Sequence, residues 1–348
     1  MFGGSYPFIQ TGDVAKAGLY LTNYGQTYSD FGIQQSKLWN EGTLLITIAA
    51  NIAETSILGI KAAFPDSVIA FESDDVDMVF VKNVIDKISD MLKRTAETSS
   101  QANLNLAKLS ELKIDLPSIG EQIKIGAFFK QLDDTIALHQ RKLTLLEQLK
   151  QSYLQLMCPQ NKGNIPALRF AGFSEPWEQR KIRELFTVTR GQVLAATKTK
   201  DKETNNFIYP VYSSQTKNNG LMGFYDQYLF ENAITWTTDG ANAGTVNFRK
   251  GKFYSTNVNG VLLSDKGFAN KAISEIINKI AWKHVSKVGN PKLMNNVMSE
   301  ITVTIPFVEE QNKVSLLFKQ WDDTIDLHKC MLDKLLELKL VFLRKMFL

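Results

Sequence analysis

The sequence predicts an α+β protein built twice over: two α/β domains, each followed by a long helix, the two helices pairing as an antiparallel coiled coil about a pseudo-twofold repeat. Three observations lead there. Residues 121–157, EQIKIGAFFKQLDDTIALHQRKLTLLEQLKQSYLQLM, return 189 positions later as residues 310–346, EQNKVSLLFKQWDDTIDLHKCMLDKLLELKLVFLRKM. The chain has 348 residues, which suits two domains at the usual ~100 to 200 residues each. Short apolar runs broken by Asn, Gly, Ser and Thr precede each copy of the repeat, as strands and turns do.

In chain order, residues 6–10, 43–48 and 68–71 read as strands and residues 80–92 as a helix, within a first domain at residues 1–113. Residues 114–159 follow as the first long helix. Its stripe of Ile125, Phe129, Leu132, Ile136, His139, Leu143, Leu146, Lys150, Tyr153 and Met157 alternates spacings of four and three, a heptad seam. The second copy repeats the stripe from Val314 to Met346, with His328 and Lys339 at the same two polar places. Ser118 and Glu121 are spaced as a capping box, whereas the second copy has Phe307 and Val308 there and a less defined start. Drift toward the 3.6-residue period would turn Leu149 and Leu338 inward and swing Lys150 and Lys339 to the rim. At ~1.5 Å per residue such a helix is about 55 Å long, too long to hide its stripe in one small domain, so the two copies cover each other.

A linker at residues 160–176 leads to a second domain at residues 177–305. Strands are expected at residues 207–211, 233–237, 244–248 and 260–263, with a helix at residues 270–283, and the last long helix occupies residues 306–348. Tyr6-Pro7 aligns with Tyr209-Pro210, so nothing in the first domain answers to residues 177–207. The first domain starts late.

Charge separates the halves. Residues 1–113 carry 9 Lys/Arg against 13 Asp/Glu, and residues 177–305 carry 17 against 10, so the second domain is the better electrostatic match for phosphate. No apolar run is long enough to span a bilayer and no secretory leader is evident, so a cytoplasmic protein is expected. The two cysteines, Cys158 and Cys330, occupy non-equivalent places in the repeat and are expected to be reduced thiols. Phosphate-cradling, dinucleotide, nucleophile-elbow and Cys/His metal patterns are absent, which points away from catalysis by this chain. His139 and His328 lack a second ligand at i+4 and read as a polar layer that fixes register. The adjacent acids Asp133-Asp134 and Asp322-Asp323 point about 100° apart on a helix and read as a solvated face, with no catalytic residue proposed.

Polar turns supply the candidate binding residues. In the second domain these are Tyr212, Ser213, Ser214, Gln215, Thr216, Lys217 and Asn218, with Arg249, Lys287, Asn290 and Lys292, groups suited to base edges and phosphates. A second such loop runs over residues 237–242. In the first domain the corresponding candidates are Gln10, Thr11, Lys37, Ser99, Ser100 and Gln101.

Three stretches resemble one family: L-P-S-x-x-E-Q-x-K-I followed by F-F-K-Q-L-D-D-T-I-x-L-H, the junction Pro166-Ala167-Leu168-Arg169-Phe170-Ala171-Gly172-Phe173, and the entry Trp177-Glu178-Gln179-Arg180-Lys181. Together they are similar to the specificity subunit of type I restriction-modification systems, over essentially the whole chain. That resemblance implies two target recognition domains, each reading half of a split site in double-stranded DNA, and helices that act as conserved spacers. It implies two methyltransferase (modification) subunits as partners, binding S-adenosylmethionine, and restriction subunits that use ATP and magnesium. No cofactor is implied in this chain itself. Gly120 departs from the family's Glu-Glu-Gln, and the late start of the first domain leaves a second reading open, an assembly scaffold whose first domain no longer reads DNA.

Overall fold

A computed structural model of the chain describes residues 1–49, 51–97, 104–159, 163–214 and 217–347. The fold divides into two compact units: Met1–Thr144 with Leu327–Leu348, and Leu145–Asp326. Each unit takes part of each long helix.

Unit 1 contains β1 (Phe2–Phe8), α1 (Thr11–Lys16), β2 (Tyr20–Leu21), β3 (Gln26–Tyr28), α2 (Asp30–Ile33), β4 (Leu44–Thr47), β5 (Thr55–Leu58), β6 (Val68–Phe71), α3 (Met78–Glu97) and α4 (Leu106–Ser110). It also holds the first part of α5 (Ile119–Met157). A four-stranded sheet runs β2-β5-β4-β6, and β1 pairs with β3 beside it. Strand β4 is buried on both faces, and its Leu44 and Ile46 pack with Phe80, Val81, Ile85 and Phe129. Helix α3 starts where the Asp77 carboxylate accepts from the Phe80 amide at 2.7 Å, a side-chain cap.

Unit 2 contains the rest of α5, then β7 (Glu178–Lys181), α6 (Ile182–Leu185), β8 (Thr187–Arg190), β9 (Tyr209–Tyr212), β10 (Leu221–Tyr225), β11 (Phe230–Thr237), β12 (Val246–Ser255), β13 (Asn259–Leu263), α7 (Lys271–Ala281), α8 (Asn295–Glu300), β14 (Thr302–Ile305) and the start of α9 (Val308–Met346). Its six strands run β10-β9-β12-β11-β13-β8, and β7 pairs separately with β14. Asn270 caps α7 by accepting from the Ile273 amide at 3.0 Å. Ala272, Ile273, Ile276, Ile277 and Ala281 then face the sheet on one buried stripe. Gly260 is required on β13, because a Cβ there would run into the Trp236 ring.

The two sheets share a plan. Strands β5, β4 and β6 pair as β12, β11 and β13 do. Phe8 bridges Ala63 in parallel as Val211 pairs with Tyr254, which places Tyr6-Pro7 opposite Tyr209-Pro210 in the plan. Among the described residues, neither β7 nor β8 has a counterpart in unit 1.

Within each unit the long helices pack antiparallel. In unit 1 Phe128 meets Phe342 (ring centroids 5.0 Å) and the Nδ1 atoms of His139 and His328 lie 3.3 Å apart. In unit 2 Tyr153 meets Trp321 with centroids 5.7 Å apart. Two expectations are corrected here. Asp133 and Asp322 are not solvated: Asp133 takes Lys339 Nζ at 2.6 Å, and Asp322 takes Lys150 Nζ at 2.6 Å and Lys271 Nζ at 2.6 Å. Only the second acids, Asp134 and Asp323, face solvent. Lys150 and Lys339 therefore stay on the seam with a carboxylate to meet, and Leu149 and Leu338 remain 43% exposed. The stripe broadens instead at Leu154 and Leu343, both buried. Helix α9 is also anchored as firmly as α5. Gln311 Nε2 donates to the Pro306 carbonyl (2.7 Å) as Gln122 Nε2 donates to that of Pro117 (2.9 Å).

Neither cysteine is in a disulfide. Burial pushes the Cys158 thiol up to about 11, with nearby Lys279 opposing and Glu275 adding to the shift. That holds it protonated at neutral pH.

Candidate nucleic-acid interface

Three turns of unit 2 converge at one end of its sheet. The first follows β9, the second joins β11 to β12, and the third connects α7 to α8. Asn242 Nδ2 of the second donates to the Ser214 carbonyl of the first at 3.1 Å. The third locks onto the second, with the Leu293 amide donating to the Thr238 carbonyl (2.8 Å) and the Gly240 amide to that of Pro291 (3.0 Å). Ser286 and Lys292 close the third turn through paired backbone hydrogen bonds of 2.8 and 3.0 Å. Backbone pairing thus sets the rim, which leaves side chains available for a ligand.

The rim brings together Ser213, Ser214, Asn218, Lys287, Asn290 and Lys292. Asn218, Lys287, Asn290 and Lys292 are exposed; Lys292 Nζ lies 3.9 Å from Asp239 Oδ1, a loose solvated pair worth little. Ser213 Oγ accepts from Thr256 Oγ1 at 3.0 Å. Gln215, Thr216 and the side chain of Lys217 lie outside the described residues. Val288, between Lys287 and Gly289, is 91% exposed at the tip of the third turn, an apolar group of the kind that meets a thymine methyl. Its isolation in a basic turn was the sequence signal for it.

Arg249 does not face outward, and the expectation that it does is corrected. Its residue is 6% exposed, on β12 under the first turn. Nε donates to Thr235 Oγ1 at 3.1 Å and Nη2 to the Asn219 carbonyl at 2.7 Å, and the guanidinium carbon stacks 3.7 Å from the centre of the half-buried Tyr212 ring. Burial pushes the guanidinium down to about 10, against the opposing effect of Tyr212. Asn218 and Asn219 hold left-handed backbone (φ 51° and 52°), so Arg249 secures the carbonyl of a turn that is strained.

In unit 1 Gln10 and Thr11 open α1, with the Gln10 amide donating to Asp13 Oδ2 (2.9 Å) and its side-chain Nε2 to Gln26 Oε1 (2.9 Å). Lys37 Nζ lies 3.3 Å from the centre of the Trp39 ring. The segments carrying these residues attach to adjacent positions, with Ile9 N donating to Ala63 O and Trp39 N to Ala62 O. Ser99, Ser100 and Gln101 lie outside the described residues. The Leu104 amide donates to the Ile48 carbonyl at 3.2 Å, as Leu293 does to Thr238, so both units share one attachment. Among the described residues no three His, Cys, Asp or Glu side chains gather as a metal site would need, and no helix is long and apolar enough to cross a membrane.

Residues 1–148 and 174–337 match the family model of the type I restriction modification DNA specificity domain. A Mycoplasma pneumoniae chain named as a type I specificity subunit is 31% identical over 216 residues, 61% of this chain and 76% of its own. The EcoprrI type I restriction enzyme specificity subunit of Escherichia coli is 20% identical over 329 residues, 92% of this chain and 80% of its own. A crystal structure of a type I restriction-modification S subunit from M. genitalium superposes with a TM-score of 0.71 at 14% identity, covering 99% of this chain and 89% of that one. That likeness is one of fold.

Proposed function

The chain belongs to the type I restriction-modification DNA specificity family, and on that footing we propose that it reads a two-part target in double-stranded DNA, one half-site for each unit. It does no chemistry of its own. The long helices hold two methyltransferase subunits, which bind S-adenosylmethionine and methylate adenines, and restriction subunits using ATP and magnesium join them. The observation that supports this reading is the rim of unit 2, where three hydrogen-bonded turns carry Ser213, Ser214, Asn218, Lys287, Asn290 and Lys292. Amides and hydroxyls discriminate base edges, and the lysines supply the salt-dependent phosphate attraction. A second reading, an assembly scaffold in which unit 1 no longer reads DNA, draws on the acidic excess of residues 1–113.

The test is to purify the chain with its methyltransferase and map methylated adenines in a host carrying both. The expected pattern is a split motif in which replacing Ser213 and Ser214 by alanine relaxes one half only. A motif confined to one half-site would favour the scaffold reading of unit 1, and absence of any sequence preference would refute both units as readers.

A further inference from the structure

The third turn of unit 2 is a short tip held at both feet. Ser286 and Lys292 exchange backbone hydrogen bonds of 2.8 and 3.0 Å, and between them stand only Lys287, Val288, Gly289, Asn290 and Pro291. One foot is tied to the second turn, where Lys292 bridges Asp239 and the Pro291 carbonyl accepts from the Gly240 amide at 3.0 Å. Gly289 turns the tip in left-handed backbone (φ 71°), which a side chain at that position would resist. Pro291 fixes its own φ. The tip is preset in shape, and what it carries is preset in position.

Val288 is the residue of this tip that the fold does not call for. Turns draw on Gly, Pro, Asn, Asp and Ser, each for a backbone reason, whereas valine is a strand former with no turn chemistry to offer. It is 91% exposed, more than any other large apolar side chain among the described residues, so it adds nothing to a core. Its surroundings indicate what it meets. Residues 282–299 carry Lys283, His284, Lys287 and Lys292 and no acid, and Lys287, Asn290 and Lys292 stand exposed around it. Of these lysines only Lys292 meets a carboxylate among the described residues, Asp239 at 3.9 Å. An apolar protein patch laid over the tip would strip water from ammonium groups and give nothing back. A duplex meets them with phosphates.

We propose that Val288 is a specificity-determining residue that reads the C5-methyl group of one thymine in the half-site of unit 2, an inference that rests on the DNA-reading function given above. The edges that base pairs present in the major groove are polar, and the thymine methyl is the one apolar group among them. Being β-branched, Val288 is stiff at χ1 and meets that methyl with little rotamer freedom to lose. Asn290, two residues along, carries the amide that suits the N6 and N7 edge of a nearby adenine, while Lys287 and Lys292 supply the attraction to phosphate. Wedging a base step open is the other use of an apolar tip, and it is made with larger side chains such as Phe, Leu, Ile and Met.

Uracil differs from thymine by that methyl alone, which makes the test direct. The full chain with its methyltransferase bound is titrated by competition against duplexes of the methylated motif in which each thymine, on either strand, is replaced in turn by uracil. One replacement, in the half-site that relaxes when Ser213 and Ser214 are changed, should weaken binding about fourfold, the worth of one buried methyl group. Val288→Ala should bind the thymine duplex at least about fourfold more weakly and should no longer distinguish it from the uracil duplex. The variant should melt as the parent does, because Val288 touches no core. An intact motif that no uracil replacement weakens, or a uracil effect that persists undiminished in Val288→Ala, overturns the proposal and leaves the DNA-reading function standing. Loss of methyltransferase binding in Val288→Ala, with thymine still told from uracil, would make the tip a protein contact and overturn it as well. A complex with no sequence preference at all removes both.

Discussion

Replacing Arg249 by methionine should blur base discrimination in one half-site while leaving the salt dependence of binding intact. The magnitudes follow from its surroundings. Burial lowers the guanidinium from its ordinary value to about 10, which corresponds to roughly 3 kcal/mol against keeping the charge there. Opposing it are two hydrogen bonds from a charged donor, each worth about 1.5 to 3 kcal/mol, and a desolvated stack on Tyr212 worth about 2 kcal/mol. The balance favours the arginine by a few kcal/mol, part of which the methionine regains by filling the space. A net loss of about 2 kcal/mol, or a fall of some 4 to 8 °C in Tm for a unit of this size, is expected. The local effect is sharper. The Arg249 bond to the Asn219 carbonyl is of the same size as the ~1 kcal/mol or more that each left-handed residue costs. Without it residues 217–220 relax and the rim loses one of its turns. Competition binding of the complex with target duplexes changed at single base pairs should show discrimination reduced about tenfold in one half-site, since a well-placed hydrogen-bonding pair is worth ~1 to 3 kcal/mol. Arg249→Lys should behave the same way, because it keeps the charge but not the fork. Intact discrimination with a salt slope smaller by about one would refute the reasoning, since that is the signature of a phosphate left without its cation.

Other outcomes follow from the same geometry. Lys287→Ala and Lys292→Ala should weaken binding to all sequences alike and flatten the salt slope by about one for each phosphate no longer neutralised, measured by titration across salt concentrations. Lys339→Met leaves Asp133, whose side chain is 13% exposed, without its cation and should cost unit 1 about 2 to 4 kcal/mol in denaturant unfolding. Asp133→Leu added to it should restore most of that, because an apolar pair replaces an ion pair at little cost. Unit 1 should also lose stability in mild acid. Burial, with Lys142 and His139 nearby, holds His328 below its ordinary 6.5, so its contribution is present above 6.5 and falls away as pH drops through the lower folded value. His328→Leu should flatten that part of the pH profile of thermal melting.

What the sequence disclosed was local or repeated. The long helices follow from a periodicity that any window displays, and β6 and α7 from apolar runs with clear boundaries. The charged seam was harder to read, because the partners of Asp133 and Asp322 lie on the other long helix, at Lys339 and Lys150. A single helix shows only adjacent acids, for which solvent is the default. Arg249 was misplaced for a similar reason. Its partners are Thr235, Asn219 and Tyr212, brought under it by strand pairing, and a basic residue in a turn-rich stretch otherwise reads as exposed. Gln122 and Gln311 were legible and overlooked. They are polar, continue the seam one step before Ile125 and Val314, and are the same in both copies, which in a diverged repeat marks a shared structural role.

The pattern of retention and divergence in the repeat therefore carries meaning. Among the positions kept in both copies, the glutamine, the first acid and the seam lysine hold the frame: the glutamines fasten each long helix to the helix beside it, and the ion pairs fasten the long helices to each other. Outside the repeat the rims of the two units differ. The rim of unit 2 has Lys287, Asn290 and Lys292 on a tight turn, while unit 1 offers Gln10, Thr11 and a lysine stacked on Trp39. A frame with anchors kept in both copies and rims free to differ lets the rim of one unit change without altering the long helices.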